Sequence, residues 1–340
     1  MTRENTRDNR SPQPTVEICA VICTHNRTDV LHRALDSLKA QAVCPAEILV
    51  VDNAPANDTT RTLIQEHYPS VRYVHESVPG LNFARNRALR ETTQEIVAYM
   101  DDDAVADHDW VAATAAVFAE DSRIAICTGK VEPLCLETEG QRLFEAQGGF
   151  GRGDIRIRMP RDIQHMQMHG LRAPLIAWSL VIGVGCSLAV RRETISALGG
   201  FDEALDMGTV LPGGGDVDII WRTLDGGKEV VYEPTVRVLH EHRRELETVH
   251  QQILGHRQAE IAFLVKSAQA ARATKRAVIG AFLLWRLLKP GLRLVRRLTF
   301  RSDLLPAAIL WRMWGASWRG LMIYPTATRL ARQRATRVAG

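Results

Sequence analysis

Four apolar runs of strand length, three of them followed by helical spacing, constrain this chain more than any other feature. Val16–Thr24, Glu47–Val51, Val71–His75 and Ile96–Met100 read as strands. Helices are expected over Asp29–Ala40, near Thr59–His67 and over Leu81–Thr92, the first because Val30, Leu31, Ala34, Leu35 and Leu38 recur at helical spacing. Strand and helix alternating over short links assemble as a mostly parallel sheet with helices on both faces. Three strands end in polar residues: Thr24 to Arg27, Asp52 with Asn53, and the triplet Asp101-Asp102-Asp103. A parallel sheet brings such ends to one edge, which is where open α/β sheets bind ligands.

Three adjacent carboxylates repel one another, and strand propensity does not favour them. A divalent cation resolves that conflict, because Mg²⁺ and Mn²⁺ prefer carboxylate oxygens and commonly share them with substrate phosphates. The plainer reading is a solvated acidic turn before a helix capped by Asp107 or Asp109. No Gly-x-Gly-x-x-Gly follows the first strand, so phosphates need another device, and a metal is the obvious one.

Further along, 129–169 reads as a long surface excursion of the kind that carries substrate contacts or acts as a lid, with a disordered insertion as the alternative. Trp178–Val190 is expected as strand, Arg191–Leu198 as helix, and Gly199-Gly200 as a turn. Gly213-Gly214-Gly215-Asp216-Val217-Asp218 opens a helix over Ile219–Leu224, with Asp216 where that helix begins. Two short strands are expected over Val230–Tyr232 and Val236–Leu239. His240 and His242 follow the second, and their two-residue spacing puts both on one face, where one is a candidate to complete a metal shell.

Charge is distributed unevenly. Residues 251–340 hold 17 Lys and Arg against Glu260 and Asp303, while the first 250 residues hold 26 basic and 37 acidic side chains. An acidic body with a basic tail suggests an anionic partner. The tail, residues 246–340, reads as amphipathic helices in which Pro290 breaks a run of Leu, Trp and Arg. That mixture suits an anionic membrane surface, with a helical unit packed on the core as the alternative, and nucleic acid is disfavoured because no reading motif is present. The six cysteines show no zinc-type spacing, and Met1–Pro14 is polar and charged, so a cytoplasmic protein with a disordered tail over residues 1–15 is expected. The run Leu175 to Val190 is too short to span a bilayer and is expected as strand and turn.

Taken in order, the motifs resemble those of the family 2 glycosyltransferases, inverting enzymes of the GT-A fold. The matching pieces are Cys23-Thr24-His25-Asn26-Arg27, Val50-Val51-Asp52-Asn53, Gly80-Leu81-Asn82-Phe83-Ala84-Arg85-Asn86, the Asp triplet, Gly185-Cys186-Ser187-Leu188-Ala189-Val190-Arg191-Arg192, Gly199-Gly200-Phe201-Asp202-Glu203 and Gly215-Asp216-Val217-Asp218. The resemblance implies a catalytic GT-A domain over residues 16–245, a mostly parallel sheet flanked by helices, with the basic helical region as an extension. It implies a nucleotide-sugar donor and a divalent cation, Mn²⁺ or Mg²⁺, held by Asp103, with Asp101 in support and His240 as a further candidate. Thr24, Arg27, Asp52, Asn53, Arg85 and Asp102 match the nucleotide pocket, and Gly185 and Asp218 the acceptor side. Asp216 matches the general base, with Asp218 its rival; many relatives carry an acid where this chain has Gly215. The missing Gln-x-x-Arg-Trp segment points to single-sugar addition, onto a glycan or lipid-linked acceptor of envelope or exopolysaccharide assembly. A sugar nucleotidyltransferase would need a glycine turn after the first strand, and Thr24 to Thr28 has none. A catalytically silent, membrane-associated binding protein would have little use for Asp101, Asp103 and Asp216 together.

Overall fold

A computed structural model describes residues 16–167, 173–207, 209–299 and 302–339. The expected disordered tail, residues 1–15, lies outside the described residues, as do the last two residues of the 129–169 excursion.

The first half alternates as expected: β1 (Ile18–Thr24), α1 (Thr28–Lys39), β2 (Glu47–Asn53), α2 (Thr59–His67), β3 (Arg72–Glu76), α3 (Leu81–Glu91) and β4 (Ile96–Asp101). These four strands pair in parallel in the order β3-β2-β1-β4. β5 (Ala104–Ala106), α4 (Trp110–Glu120) and β6 (Ile124–Pro133) follow, then α5 (Glu139–Ala146) and β7 (Ile157–Met159). Next come α6 (Leu175–Ile182), β8 (Ser187–Arg191), α7 (Arg192–Ala197), α8 (Gly215–Asp225) and β9 (Glu229–His240). β8 runs antiparallel between β4 and β6, β6 pairs in parallel with β9, and β5 and β7 pair antiparallel with β9.

Both faces of the sheet are covered. On one, Leu31 and Leu35 of α1 and Trp110 of α4 pack on Ile22, Val50 and Met100; on the other, Ala84, Trp178 and Ile219 of α3, α6 and α8 pack on Val21, Val97 and Tyr99. Leu35 is fully buried, a burial that contributes about 1.5–3 kcal/mol.

Four expectations need correction. Leu175 to Val190 is not all strand: its first half is α6, and only Ser187 onward joins the sheet. A short apolar run buried on every side carries no periodicity that separates helix from strand. The two strands expected over 230–239 are one, β9, bent by register shifts opposite Ile124–Ile126 and Gly129–Lys130. The 129–167 stretch is built rather than loose, since α5 carries a capping box in which Thr138 and Gln141 satisfy each other's backbone. Pro290 does not end a helix but sits inside α10.

That helix belongs to a C-terminal trio: α9 (Leu246–Ala270), α10 (Ala273–Leu298) and α11 (Ala307–Ala339). Phe263 of α9 and Ala327 of α11 share a buried cluster with Phe83, Leu205 and Trp221 of the sheet domain. Lys266 of α9 adds ion pairs to Asp202 and Asp218, both at 2.6 Å. The trio therefore packs against the sheet domain rather than hanging from it. Among the described residues no helix is long and apolar enough to cross a membrane.

Candidate active site

Strand register assembles the polar edge. Thr24 lies beside Asp52, Cys23 beside Asp101, and Ala104 beside His240. A cleft of about 800 Å³ opens there, lined by the β1 and β4 ends, the loop after α5, the start of α8 and the facing sides of α9 and α10.

The triplet divides its work. Asp102 is buried and held inward: the Thr24 hydroxyl donates to its Oδ2 at 2.8 Å, and Arg27 Nη1 to its Oδ1 at 2.8 Å. Burial pushes its carboxyl up to about 7, against the pull of Arg27. Asp103 takes the other arm of Arg27 at 2.8 Å and lies 3.2 Å from His240 Nε2. Burial raises that carboxyl, but His240 and Arg27 together outweigh it and hold it well below the usual range. Asp101, Cys186 and His240 each offer a ligand atom, all within 4.8 Å of one another. A carboxylate and an imidazole suit a borderline divalent cation, and the Cys186 sulfur at the same spot is a softer donor.

The orientation of His240 is fixed from behind. Its Nδ1 meets His242 Nδ1 at 3.0 Å, and His242 Nε2 meets Glu145 Oε1 of α5 at 2.8 Å. Burial lowers the His242 pKa, so a neutral ring donates from Nε2 to Glu145 and accepts at Nδ1. The network thus assigns the Nδ1 proton to His240 and turns its Nε2 toward Asp103, as a metal-ligating histidine requires. Phe144 and Phe150 pack edge-on against these rings, 4.9 Å from His242 and 5.2 Å from His240.

At the opposite wall Asp216 opens α8. Gly214 before it has φ +94, a left-handed turn that glycine adopts freely. Asp216 Oδ1 accepts from the Val217 amide at 2.9 Å; its Oδ2 faces Gly185, where a Cβ would stand 3.4 Å away. Among the described residues that oxygen has no hydrogen-bond partner. Gly215 now has a physical reason, since any Cβ there would come within 2.1 Å of Asn82 Nδ2. Asn82 fills the space beside Gly215, and it donates to the Asp202 and Leu205 carbonyls at 2.8 and 2.9 Å.

Not every expected residue meets the cleft. Asp218 turns away from it, fully buried between Arg222 at 2.7 Å and Lys266 at 2.6 Å, so it ties α8 to α9 and is placed neither as the base nor in an acceptor pocket. Asp52 is also buried outside the cleft lining; Tyr73 donates to its Oδ2 at 3.0 Å, and its Oδ1 has no partner. Asn53 and Arg85 do line the cleft; Asn53 also latches the turn before α3, donating to Val78 O and accepting from Gly80 N, both at 2.8 Å. Arg85 is buried under Gly185, its Nη2 3.4 Å from that carbonyl oxygen.

Residue reading passed over Cys186, Glu145, Arg152, His256 and the α10 cations, all of which bear on the cleft. Cys186 was reachable through its neighbour Gly185; the others come from elements whose packing no motif announces. His256 faces the cleft from α9, and burial in its walls lowers its pKa.

Several known proteins resemble the chain. A pre-mycofactocin glycosyltransferase of Mycobacterium tuberculosis is 25% identical over 231 residues, which cover 68% of this chain and 44% of that protein. The succinoglycan biosynthesis protein ExoM of Rhizobium meliloti is 23% identical over 229 residues, 66% of each chain. The chain thus spans less than half of the first of these relatives. Among solved structures, the mannosyltransferase PcManGT from Pyrobaculum calidifontis, in complex with GDP-Man and Mn²⁺, superposes with a TM-score of 0.54 at 20% identity, covering 95% of this chain and 89% of that one. That likeness bears on the fold, which is GT-A-like. The family described as Glycosyl transferase family 2 matches residues 19–199, more than half the chain, and with the fold and cleft above this protein belongs to glycosyl transferase family 2.

Proposed function

We propose that this glycosyltransferase moves a single sugar, with inversion, from a nucleotide-diphosphate donor to the hydroxyl of a glycan or lipid-linked acceptor in envelope or exopolysaccharide assembly. The observation that carries the reading is the pairing, in one cleft, of an oxygen- and imidazole-lined cation site with a free carboxylate oxygen on the facing helix. Asp101, Asp103 and His240 would hold the divalent cation, with the Cys186 sulfur beside them. When bound, such an ion neutralises charge growing on the departing diphosphate. Arg27 bridges Asp102 and Asp103 and keeps the acidic turn in one shape before any ligand arrives.

On the other wall Asp216 Oδ2 is the base: it takes the proton from the acceptor hydroxyl as that oxygen attacks the anomeric carbon. Gly185 keeps the space beside this oxygen open, since a Cβ there would stand 3.4 Å from it. The ExoM relative in succinoglycan biosynthesis supports the pathway class, and the Mn²⁺ in the mannosyltransferase supports the ion.

The test is release of nucleoside diphosphate from a panel of nucleotide sugars with Mn²⁺ present. Asp216→Asn should lower turnover by about 10²–10⁴-fold while donor affinity persists. A fully active variant, or turnover undiminished by excess chelator, overturns the assignment.

A further inference from the structure

The cleft does not stop at Asp216. Its far wall is made by the C-terminal trio, whose basic residues face inward as well as outward. On α9, Ile253, His256, Arg257 and Glu260 fall at i, i+3, i+4 and i+7 and line the cleft; on α10, Arg286, Lys289 and Arg293 do so at i, i+3 and i+7.

Four cations converge here against two carboxylates. Glu260 holds both Arg257, at 3.0 Å, and Arg286. Arg293 is held by Asp303 at 2.6 Å. Lys289 has no carboxylate partner among the described residues; its ammonium sits 5.0 Å over the Trp285 ring. Two positive charges are left over in a partly buried wall, an arrangement that costs free energy unless an anion completes it. Burial pushes the Lys289 amine down to about 8, with Arg286 and Arg257 adding to the effect, which is the signature of a cation short of a counter-charge.

Just beside the cationic row, one residue back along α10, runs an exposed apolar row: Val278, Trp285, Leu288, Leu292 and Val295. A one-residue offset turns a helix by about 100°, so a ligand with its charged end among Arg286, Lys289 and Arg293 has an apolar path leading out over the helix.

We propose that Arg257, Arg286, Lys289 and Arg293 form an anion-binding subsite at the acceptor end of the cleft, which takes the phosphate or diphosphate of a phosphorylated acceptor. The inference rests on the transfer reaction proposed above and names its acceptor class. It differs from the donor diphosphate site, which lies at the acidic strand ends on the opposite wall.

The experiment is equilibrium titration of the full chain in excess chelator and without nucleotide, so that no metal site competes. Three probes separate the sources of the anion: farnesyl phosphate, farnesol and inorganic pyrophosphate. Farnesyl phosphate should bind, and Lys289→Gln should weaken it by about tenfold or more, the loss of one charge-assisted contact. Lys289→Arg should restore binding, and farnesol binding should not follow the charge. Equal, equally sensitive binding of pyrophosphate would keep the subsite and assign it a soluble phosphate. Because Lys289 has no ion-pair partner, its replacement should leave the thermal melt near that of the parent chain. No binding of either phosphate, or binding indifferent to Lys289→Gln, overturns the proposal. Charge-sensitive binding supports the subsite even if no nucleotide sugar is ever consumed, a result that would count against the transfer reaction alone.

Discussion

Among single residues, Asp206 shows how the fold sets a carboxyl against water. It is buried behind the start of α3, where its Oδ1 accepts from the Asn82 amide at 2.8 Å and its Oδ2 has no partner. Burial raises its pKa to about 7. The folded state therefore prefers the protonated acid, while the unfolded chain ionises near the ordinary 3.8. The folded state holds more protons between those values, so this group's stabilisation is whole below about pH 4 and is lost as pH rises toward 7. Asp206→Asn keeps the acceptor and cannot ionise. Urea unfolding at pH 5 and pH 8 should show the parent chain losing on the order of 3 kcal/mol more than the variant over that interval; parallel losses in both proteins would refute it. At this scale much of the site was legible in sequence. Asp101, Asp103, His240 and Asp216, expected from strand ends, a helix start and the family resemblance, all line one cleft. Asp218 shows why the rest was not: two residues from Asp216 on the same helix, it points instead to Lys266, a partner 48 positions away.

Among elements, what could be read followed how local the signal was. α1 and α2 appeared within a residue or so of their expected limits because spacing and turns lie in one short stretch. α6 was missed because it is apolar all round, and α10 runs through Pro290 because its packing on α9 and α11 outweighs one missing hydrogen bond. α5 matters most for the site, since its Glu145 anchors the relay through His242 to His240. Glu145→Gln keeps a side chain of the same length and loses the charge that fixes the His242 proton. Mn²⁺ affinity, read by calorimetry or by the free-ion paramagnetic signal, should fall about 10–100-fold, as for other partners behind a ligating histidine. Binding as tight as in the parent chain would show that the relay only shapes the fold.

For the whole molecule, the sequence charge asymmetry has two outlets, and the structure separates them. One faces inward, at Arg286, Lys289 and Arg293; the other faces solvent. Arg276 and Arg296 of α10 and Arg272 at its N-cap are exposed, as is the apolar row of Trp285, Leu288, Leu292 and Val295, and α11 exposes Trp311 and Trp318 seven residues apart, on one face. Leu292 is 54% and Trp311 62% exposed, more than a helix turned to its own core would leave. Apolar side chains flanked by Arg fit the interface of an anionic bilayer, where the chain enters the acyl boundary and Arg meets the headgroups. We infer peripheral binding there, which would also set the cleft beside an acceptor carried on lipid. Flotation with vesicles of phosphatidylcholine carrying phosphatidylglycerol should recover the protein, and neutral phosphatidylcholine vesicles should not. Raising salt should weaken recovery, because exposed charges more than about 10 Å apart are screened at 0.1 M. The double variant Leu288→Glu, Leu292→Glu should lower the partition coefficient by about a hundredfold, the expected loss of two partly inserted leucines. Since both positions face solvent, the variant should melt as the parent does. Recovery by anionic vesicles that survives these substitutions would leave α10 out of any membrane contact.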